Sequence, residues 1–250
     1  RSLYALWIFM VRADIYSAIG AGCLALVGML FQGMEISIIN IMIASTYVYA
    51  MHTINRLQDK NFGRIVGSFR EATYVRHRDT YMTVAVLSLI VAVALSFVQG
   101  TAPFVLLLLM SLFGVLYNIK IFPSRRGSKS LMDIPGSKNV FTAAAWALVS
   151  VLIPRFTVSI EITASALVAF LFIFNIVFVK SALSDMIDIQ SDRLVGRETI
   201  PVVVGEQNTR RLLQGVSILT GIVLVLAVLA GYVSALSLIM LISIFYMWIC

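Results

Sequence analysis

Three aspartates in the second half of the chain have the residue type and spacing that could do chemistry. Asp185, Asp188 and Asp192 lie in the run Asp-Met-Ile-Asp-Ile-Gln-Ser-Asp. On one continuous helix they would lie within about 60° of a single face. Carboxylates this close repel each other unless a cation lies between them, and carboxylate oxygens suit Mg²⁺. The spacing therefore predicts a site for Mg²⁺ or for a polyanion held through it, although a solvated acidic helix end would carry the same residues.

The segment before these aspartates predicts a membrane helix. Residues 160–184 carry only Glu161 and Lys180 as charged side chains, which is typical of a transmembrane span. Ionisable groups beside such a span are costly and usually functional, so the position favours the metal interpretation. Lys180 itself is a candidate phosphate ligand or a cation whose long side chain reaches the membrane surface.

Composition predicts a polytopic membrane protein, because 60% of the 250 residues are hydrophobic and 12% are charged. We expect an all-α transmembrane bundle of eight helices, with polar loops clustered at one end over a central cavity. We expect one domain over residues 1–250, truncated at one or both ends, since the chain opens at Arg1 and stops inside an apolar run. The apolar segments are 14–32, 36–55, 80–98, 102–119, 138–154, 160–184, 210–230 and 233–250.

Basic residues concentrate in the three long connections, 56–79, 120–138 and 185–209. By the positive-inside tendency, these loops and the N-terminus face the cytoplasm. The cations could serve only to set this orientation and to attract anionic lipid headgroups. The net charge of +7 does not indicate nucleic acid, because it is spread over loops beside the bilayer. A phosphorylated amphiphile fits better, with its tail among the helices and its phosphates held by Mg²⁺, Lys and Arg.

The acidic run resembles the second aspartate motif of the UbiA superfamily of intramembrane prenyltransferases. That motif reads Asp-x-x-Asp-x-x-x-Asp and continues through Gly196, Thr199 and Pro201-Val at the matching spacing. Asn55-Arg-Leu-Gln-Asp59 occupies the place of the family's first motif. Two further matches are Tyr117 with Lys120 after the fourth helix, and Arg12-Ala-Asp14 before the first. The resemblance covers nearly the whole chain in order.

The chain also departs from the family pattern. Arg56 and Gly63 stand where the first motif would place its second and last acids. We expect a depleted metal site there, with direct cation contacts from Arg56, Lys120 or Arg126 to diphosphate; the rival interpretation pairs Arg56 with Asp59 or with lipid headgroups. The family usually has nine helices, one more than the segments counted in this chain.

The resemblance implies Mg²⁺-dependent transfer of a prenyl group from an isoprenyl diphosphate to an acceptor, in the class of transferases of alkyl groups other than methyl. The acceptor would be aromatic, a tetrapyrrole or a phosphorylated polyol. Asp59, Asp185 and Asp188 would be catalytic and would bind the metal, with Asp192 the weakest ligand of the four. The implied substrate-binding residues are Asn55, Arg56, Tyr117, Lys120, Arg126, Lys180 and Arg193.

Three other functions remain open at this point. A terpene cyclase of the same superfamily would ionise the same substrate and capture the cation with an internal double bond. A transporter would use Asp185 and Asp188 as a cation site, although transporter sites usually lie at the bilayer midplane. Arg56 and Gly63 also leave open a degenerate scaffold without catalysis. The chain is expected in the cell inner membrane if bacterial or archaeal, in contact with membrane lipids; no oligomeric state is inferred.

Overall fold

The computed structural model describes residues 14–58, 77–116, 122–124, 127–129, 134, 136–195 and 198–249. Within these residues the protein is built from helices, as the apolar segments predict. Their bounds are α1 (Ile15–Phe31), α2 (Ile38–Gln58), α3 (Arg78–Gln99), α4 (Thr101–Leu116), α5 (Ser137–Phe156), α6 (Ala164–Ile187), α7 (Ile189–Val195), α8 (Ile200–Val204), α9 (Glu206–Leu229) and α10 (Ala235–Ile249). Each of the eight apolar segments of the sequence corresponds to one of the long helices, so the predicted all-α bundle is confirmed.

Four of these helices, α3, α5, α6 and α9, are long and apolar enough to cross a membrane. A bilayer core of about 30 Å requires roughly 20 apolar residues, and backbone groups there must be paired within the helix. Many large apolar side chains are exposed on these helices, for example Leu87 and Ile90 on α3. Lipid chains cover such a surface, so the protein is an integral membrane protein.

Helix α6 lies at the centre of the bundle, packed against α1, α5 and α9. The buried contact surfaces are rich in alanine, including Ala143 on α5 and Ala169 and Ala182 on α6. Small residues let membrane helices approach closely, which compensates for the weak hydrophobic drive between helices in lipid. Phe172 of α6 fills the space beside Phe31 of α1, with ring centroids 5.1 Å apart.

Helix α5 contains a π-helical turn, Leu148–Leu152, followed by Pro154. This turn packs against α1, where Gly28 provides the room: a Cβ at Gly28 would lie 2.5 Å from the carbonyl oxygen of Ser150. The side chain of Gln32 donates to the carbonyl oxygens of Gly28 and Val151, at 3.0 and 3.2 Å. The irregular backbone is therefore satisfied by a neighbouring helix, as a membrane interior requires.

One element was not predicted. In the second long connection, strands β1 (Phe122–Ser124) and β2 (Gly127–Lys129) form a short antiparallel hairpin. The segment was expected to be a polar loop. The hairpin is too small to change the fold class.

Candidate active site

The acidic motif lies at the end of α6, where the helix is interrupted. Helix α6 ends at Ile187, Asp188 leaves helical geometry, and α7 begins at Ile189. The condition of one uninterrupted helix through all three aspartates is therefore not met, although the backbone N–H groups of Asp188 and Asp192 still donate to the carbonyl oxygens of Ser184 and Asp188. Asp185 and Asp192 are each 4% exposed, whereas Asp188 is exposed to solvent. Asp185 and Asp192 therefore share a buried face, and the carboxylate of Asp188 lies on the exposed side.

Asp185 is a buried carboxylate with one oxygen that has no hydrogen-bond partner among the described residues. Its Oδ1 accepts from Lys138 Nζ at 3.3 Å, and Lys138 lies in the first turn of α5. Its Oδ2 is buried and has no hydrogen-bond partner among the described residues. Buried carboxylate oxygens are rarely left without a donor, so this atom is suited to a cation or a proton donor that arrives with the substrate.

Lys138 was not selected as a site residue from the sequence, where it was counted only among the basic residues of the second loop. The one available signal was its place at the start of an apolar helix, at the membrane surface. The neighbouring residue reinforces the same helix pair, since the hydroxyl of Ser181 of α6 donates to Oδ1 of Asn139 of α5 at 3.1 Å. These two contacts fix the end of α6 against α5.

Arg56 contacts a carboxylate, but not one that the sequence predicted. Its Nη1 donates to Oδ2 of Asp14, and its Nη2 lies 3.4 Å from His52 Nε2. The same Oδ2 is 3.8 Å from His52 Nε2. Asp14 is completely buried at the start of α1 and adopts a left-handed backbone conformation, with φ of 54°. The guanidinium therefore joins α2 to α1.

Lys180 of α6 lies over two aromatic rings. Its Nζ is 5.2 Å from the ring centroid of Tyr16 and 5.1 Å from that of Trp146. Both distances are within the range of a cation–π interaction. Neither aromatic residue was selected as a site residue from the sequence.

These charged groups lie at one end of the bundle. Arg56 of α2 bonds Asp14 at the start of α1. Lys138 at the start of α5 bonds Asp185, and Lys180 precedes Asp185 by five residues on α6. Arg56 is paired with Asp14 and Lys138 with Asp185, and Lys180 has no carboxylate partner among the described residues. A concentration of positive charge at membrane depth is costly without an anionic partner, so the arrangement is suited to binding a polyanion.

The other predicted site residues divide into two groups. Asn55 lies half-buried in the last turns of α2, and Arg193 is exposed on α7. Four residues lie outside the described part of the chain: Asp59, Tyr117, Lys120 and Arg126. The described residues alone contain no group of three or more His, Cys, Asp or Glu side chains that could hold a metal ion. The predicted convergence of Asp185 and Asp188 with Asp59 therefore stays a prediction.

Comparison with known proteins identifies relatives. The model of the UbiA prenyltransferase family matches residues 5–250. A UbiA homolog from Archaeoglobus fulgidus, solved bound to GPP and Mg²⁺, superposes with a TM-score of 0.69 at 16% identity, covering 96% of this chain and 84% of that one. A structure from work on digeranylgeranylglyceryl phosphate synthase in membranes gives 0.64 at 15% identity, covering 98% and 85%. No curated protein sequence matches the chain.

Proposed function

The chain belongs to the UbiA prenyltransferase family, and on that premise we propose that it transfers a prenyl group from an isoprenyl diphosphate to an acceptor inside the membrane. The observation that carries the proposal is the surroundings of Asp185. This carboxylate is buried at the end of a membrane helix, has one oxygen without a described hydrogen-bond partner, and lies beside Lys138. The A. fulgidus homolog of similar fold was solved with GPP and Mg²⁺, which is the class of ligand that such a site would bind.

The basic side chains of the site would bind the diphosphate. Lys138 and Lys180 belong to α5 and α6, so the two ammonium groups approach the same end of the bundle from different helices. Each ammonium carries three donors and is suited to phosphate oxygens as a point charge. Arg56 is already paired with Asp14, so we assign it to holding α1 and α2 together rather than to the diphosphate.

The donor chemistry of the motif fits Mg²⁺. Asp185 and Asp192 are both buried, and Oδ2 of Asp185 has no donor among the described residues. We propose these two aspartates as metal ligands, with Asp188 and Asp59 as the further candidates. When bound, Mg²⁺ supplies positive charge to the diphosphate as it leaves. The aspartates hold the ion, and the neighbouring cations orient the substrate.

The helices would protect the reaction from water. When the bond between the allylic carbon and the diphosphate oxygen breaks, its electron pair leaves with the diphosphate, and the allylic cation is then attacked by an acceptor that loses a proton. Bulk water would capture that cation, so the reaction needs a dry site. Buried apolar side chains within two turns of Asp185, such as Phe178 and Val179 of α6, supply such surroundings.

The acceptor is proposed only by class. Aromatic compounds, tetrapyrroles and phosphorylated polyols are the candidates. The second structure of similar fold comes from work on digeranylgeranylglyceryl phosphate synthase, which supports including a glyceryl phosphate acceptor in any test. At 15% identity that similarity extends to the fold, so the acceptor is a matter for assay.

The test is incubation of the purified protein with Mg²⁺, radiolabelled geranylgeranyl diphosphate and a panel of acceptors. We expect release of diphosphate together with a prenylated acceptor, and loss of both in Asp185→Asn. A labelled hydrocarbon or terpenol without a conjugate would identify a cyclase. Intact substrate under all conditions would contradict the proposal and favour a scaffold or a transporter.

We also propose that the charged end faces the cytoplasm, following the distribution of Lys and Arg. Cysteines introduced at Ser128 and Gly196 should then be labelled from the same, cytoplasmic side of the membrane. Labelling of the two positions from opposite sides would contradict this orientation.

A further inference from the structure

The contact of Lys180 with two aromatic rings has no role in the function proposed above. Lys180 is an exposed cation of the membrane helix α6, and Tyr16 and Trp146 approach it from α1 and α5. Among the described residues, no carboxylate forms an ion pair with its Nζ and no oxygen accepts a hydrogen bond from it. The nearest motif carboxylate, Asp185, is bonded to Lys138 instead.

This arrangement is unusual for a lysine at membrane depth. A long side chain there would ordinarily extend to the membrane surface or pair with an acid. Two π faces attract the ammonium electrostatically but satisfy none of its three hydrogen-bond donors in the way an oxygen would. The ammonium is therefore held in place while it retains the capacity to donate to an anion.

The position of Lys180 identifies the anion. Lys180 precedes Asp185 by five residues, which on a helix is about 7.5 Å along the axis. Its ring partner Trp146 belongs to α5, the same helix whose Lys138 bonds Asp185. A second ammonium, set one and a half turns deeper than the motif carboxylate, would reach a phosphate group of a substrate whose other phosphate is near Asp185 and Lys138.

We propose that Tyr16 and Trp146 are positioning residues that hold the ammonium of Lys180 for the diphosphate of the substrate. The rings stay in contact with Nζ when the diphosphate binds, and the free N–H donors of the ammonium then reach phosphate oxygens. The gain comes from preorganisation, because a lysine side chain has four rotatable bonds whose freedom is otherwise lost on binding. The proposal rests on the proposed function, since a prenyl diphosphate is the anion concerned.

The test is a double-mutant cycle on binding of inorganic diphosphate, measured calorimetrically with the full chain in lipid nanodiscs containing Mg²⁺. Lys180→Met keeps the length of the side chain and removes its charge; we expect Kd to rise about 10- to 100-fold, as for loss of a charge-assisted hydrogen bond. Tyr16→Leu and Trp146→Leu should each raise Kd about three- to tenfold. Tyr16→Phe and Trp146→Phe keep a π face and should bind nearly as well as the wild type.

The decisive measurement is whether the effect of a ring substitution on Kd depends on the presence of Lys180. If the rings act through Lys180, Tyr16→Leu will have no further effect on Kd in the Lys180→Met background. If Tyr16 has only a structural role, Tyr16→Leu will raise Kd by the same factor in the wild type and in the Lys180→Met variant. That result would overturn the inference. Wild-type affinity in Lys180→Met would overturn it as well.

Failure of this inference is distinguishable from failure of the proposed function. A protein that forms a prenylated product but shows no coupling between the rings and Lys180 retains the function and loses the inference. A protein that shows the coupling but gives no product with any acceptor retains the inference and loses the transferase assignment.

Discussion

Replacing Arg56 with Met should destabilise the protein strongly, because it removes the guanidinium from a buried carboxylate. Asp14 is 0% exposed, while the Arg56 side chain is 21% exposed. Breaking a buried ion pair by removing one partner costs about 3–5 kcal/mol, since the remaining charge is desolvated. The partial exposure of Arg56 places the expected loss near the lower end of that range.

The assay is reversible unfolding in mixed micelles, with Asp14→Asn as the matched variant. Asn is close to isosteric with Asp and tolerates the left-handed backbone at this position, where φ is 54°. The double variant, Arg56→Met with Asp14→Asn, removes both charges and should recover most of the lost stability. We therefore expect Arg56→Met alone to lower the unfolding free energy strongly. The effects of the two substitutions on that free energy should not add in the double variant.

Two results would refute this account of Arg56. One is an Arg56→Met variant within about 0.5 kcal/mol of wild-type stability. The other is a loss of diphosphate affinity larger than tenfold at unchanged stability, which would make Arg56 a substrate ligand after all. The charge swap Arg56→Asp restores an acid of the family's first motif, but it brings a second carboxylate to Asp14, so we expect it to be more harmful than Arg56→Met.

Three further predictions follow from the same structure. Asp185→Asn should lower transferase turnover ~100-fold or more. It should change the unfolding free energy by less than about 1 kcal/mol, because the partner Lys138 is 48% exposed and water can solvate its ammonium when the carboxylate is lost. Gly28→Ala should destabilise by about 1–3 kcal/mol through a clash with Ser150, whereas Gly215→Ala, with open space around it, should be neutral or stabilising in the unfolding assay. Chelation of Mg²⁺ should abolish product formation reversibly, measured before and after the metal is restored.

The helices were predictable from the sequence because the bilayer restricts the backbone conformations that a spanning segment can adopt. A segment of about 20 apolar residues that crosses a bilayer must pair its own backbone groups, and a helix achieves this within the segment. Each predicted segment accordingly contains a helix, with ends that differ by a few residues. The π-helical turn at Leu148–Leu152 was not predictable, because it depends on the approach of Gly28 from another helix.

The acidic motif was predictable as a functional feature, but its geometry was not. Spacing gives a common face only if the helix is continuous, and in the structure helical geometry is interrupted at Asp188, whose side chain is exposed. The position of a helix end depends on backbone hydrogen bonds and on the tertiary packing around the next turn. The residue types in the sequence only favour or disfavour a given position. The burial of Asp192 beyond the break was not foreseen either.

By itself the sequence determined the class of protein, the positions of its helices and the concentration of acids and bases at one end. These depend on composition and on periodicity along a single segment. Tertiary structure decided which charges are partners: Arg56 bonds Asp14, 42 residues away, and Lys138 bonds Asp185, 47 residues away. Such pairs depend on how α1, α2, α5 and α6 pack together. A charge in the sequence has many possible partners, and only the packed bundle selects among them, because Coulomb attraction is strong only at contact distance and out of water.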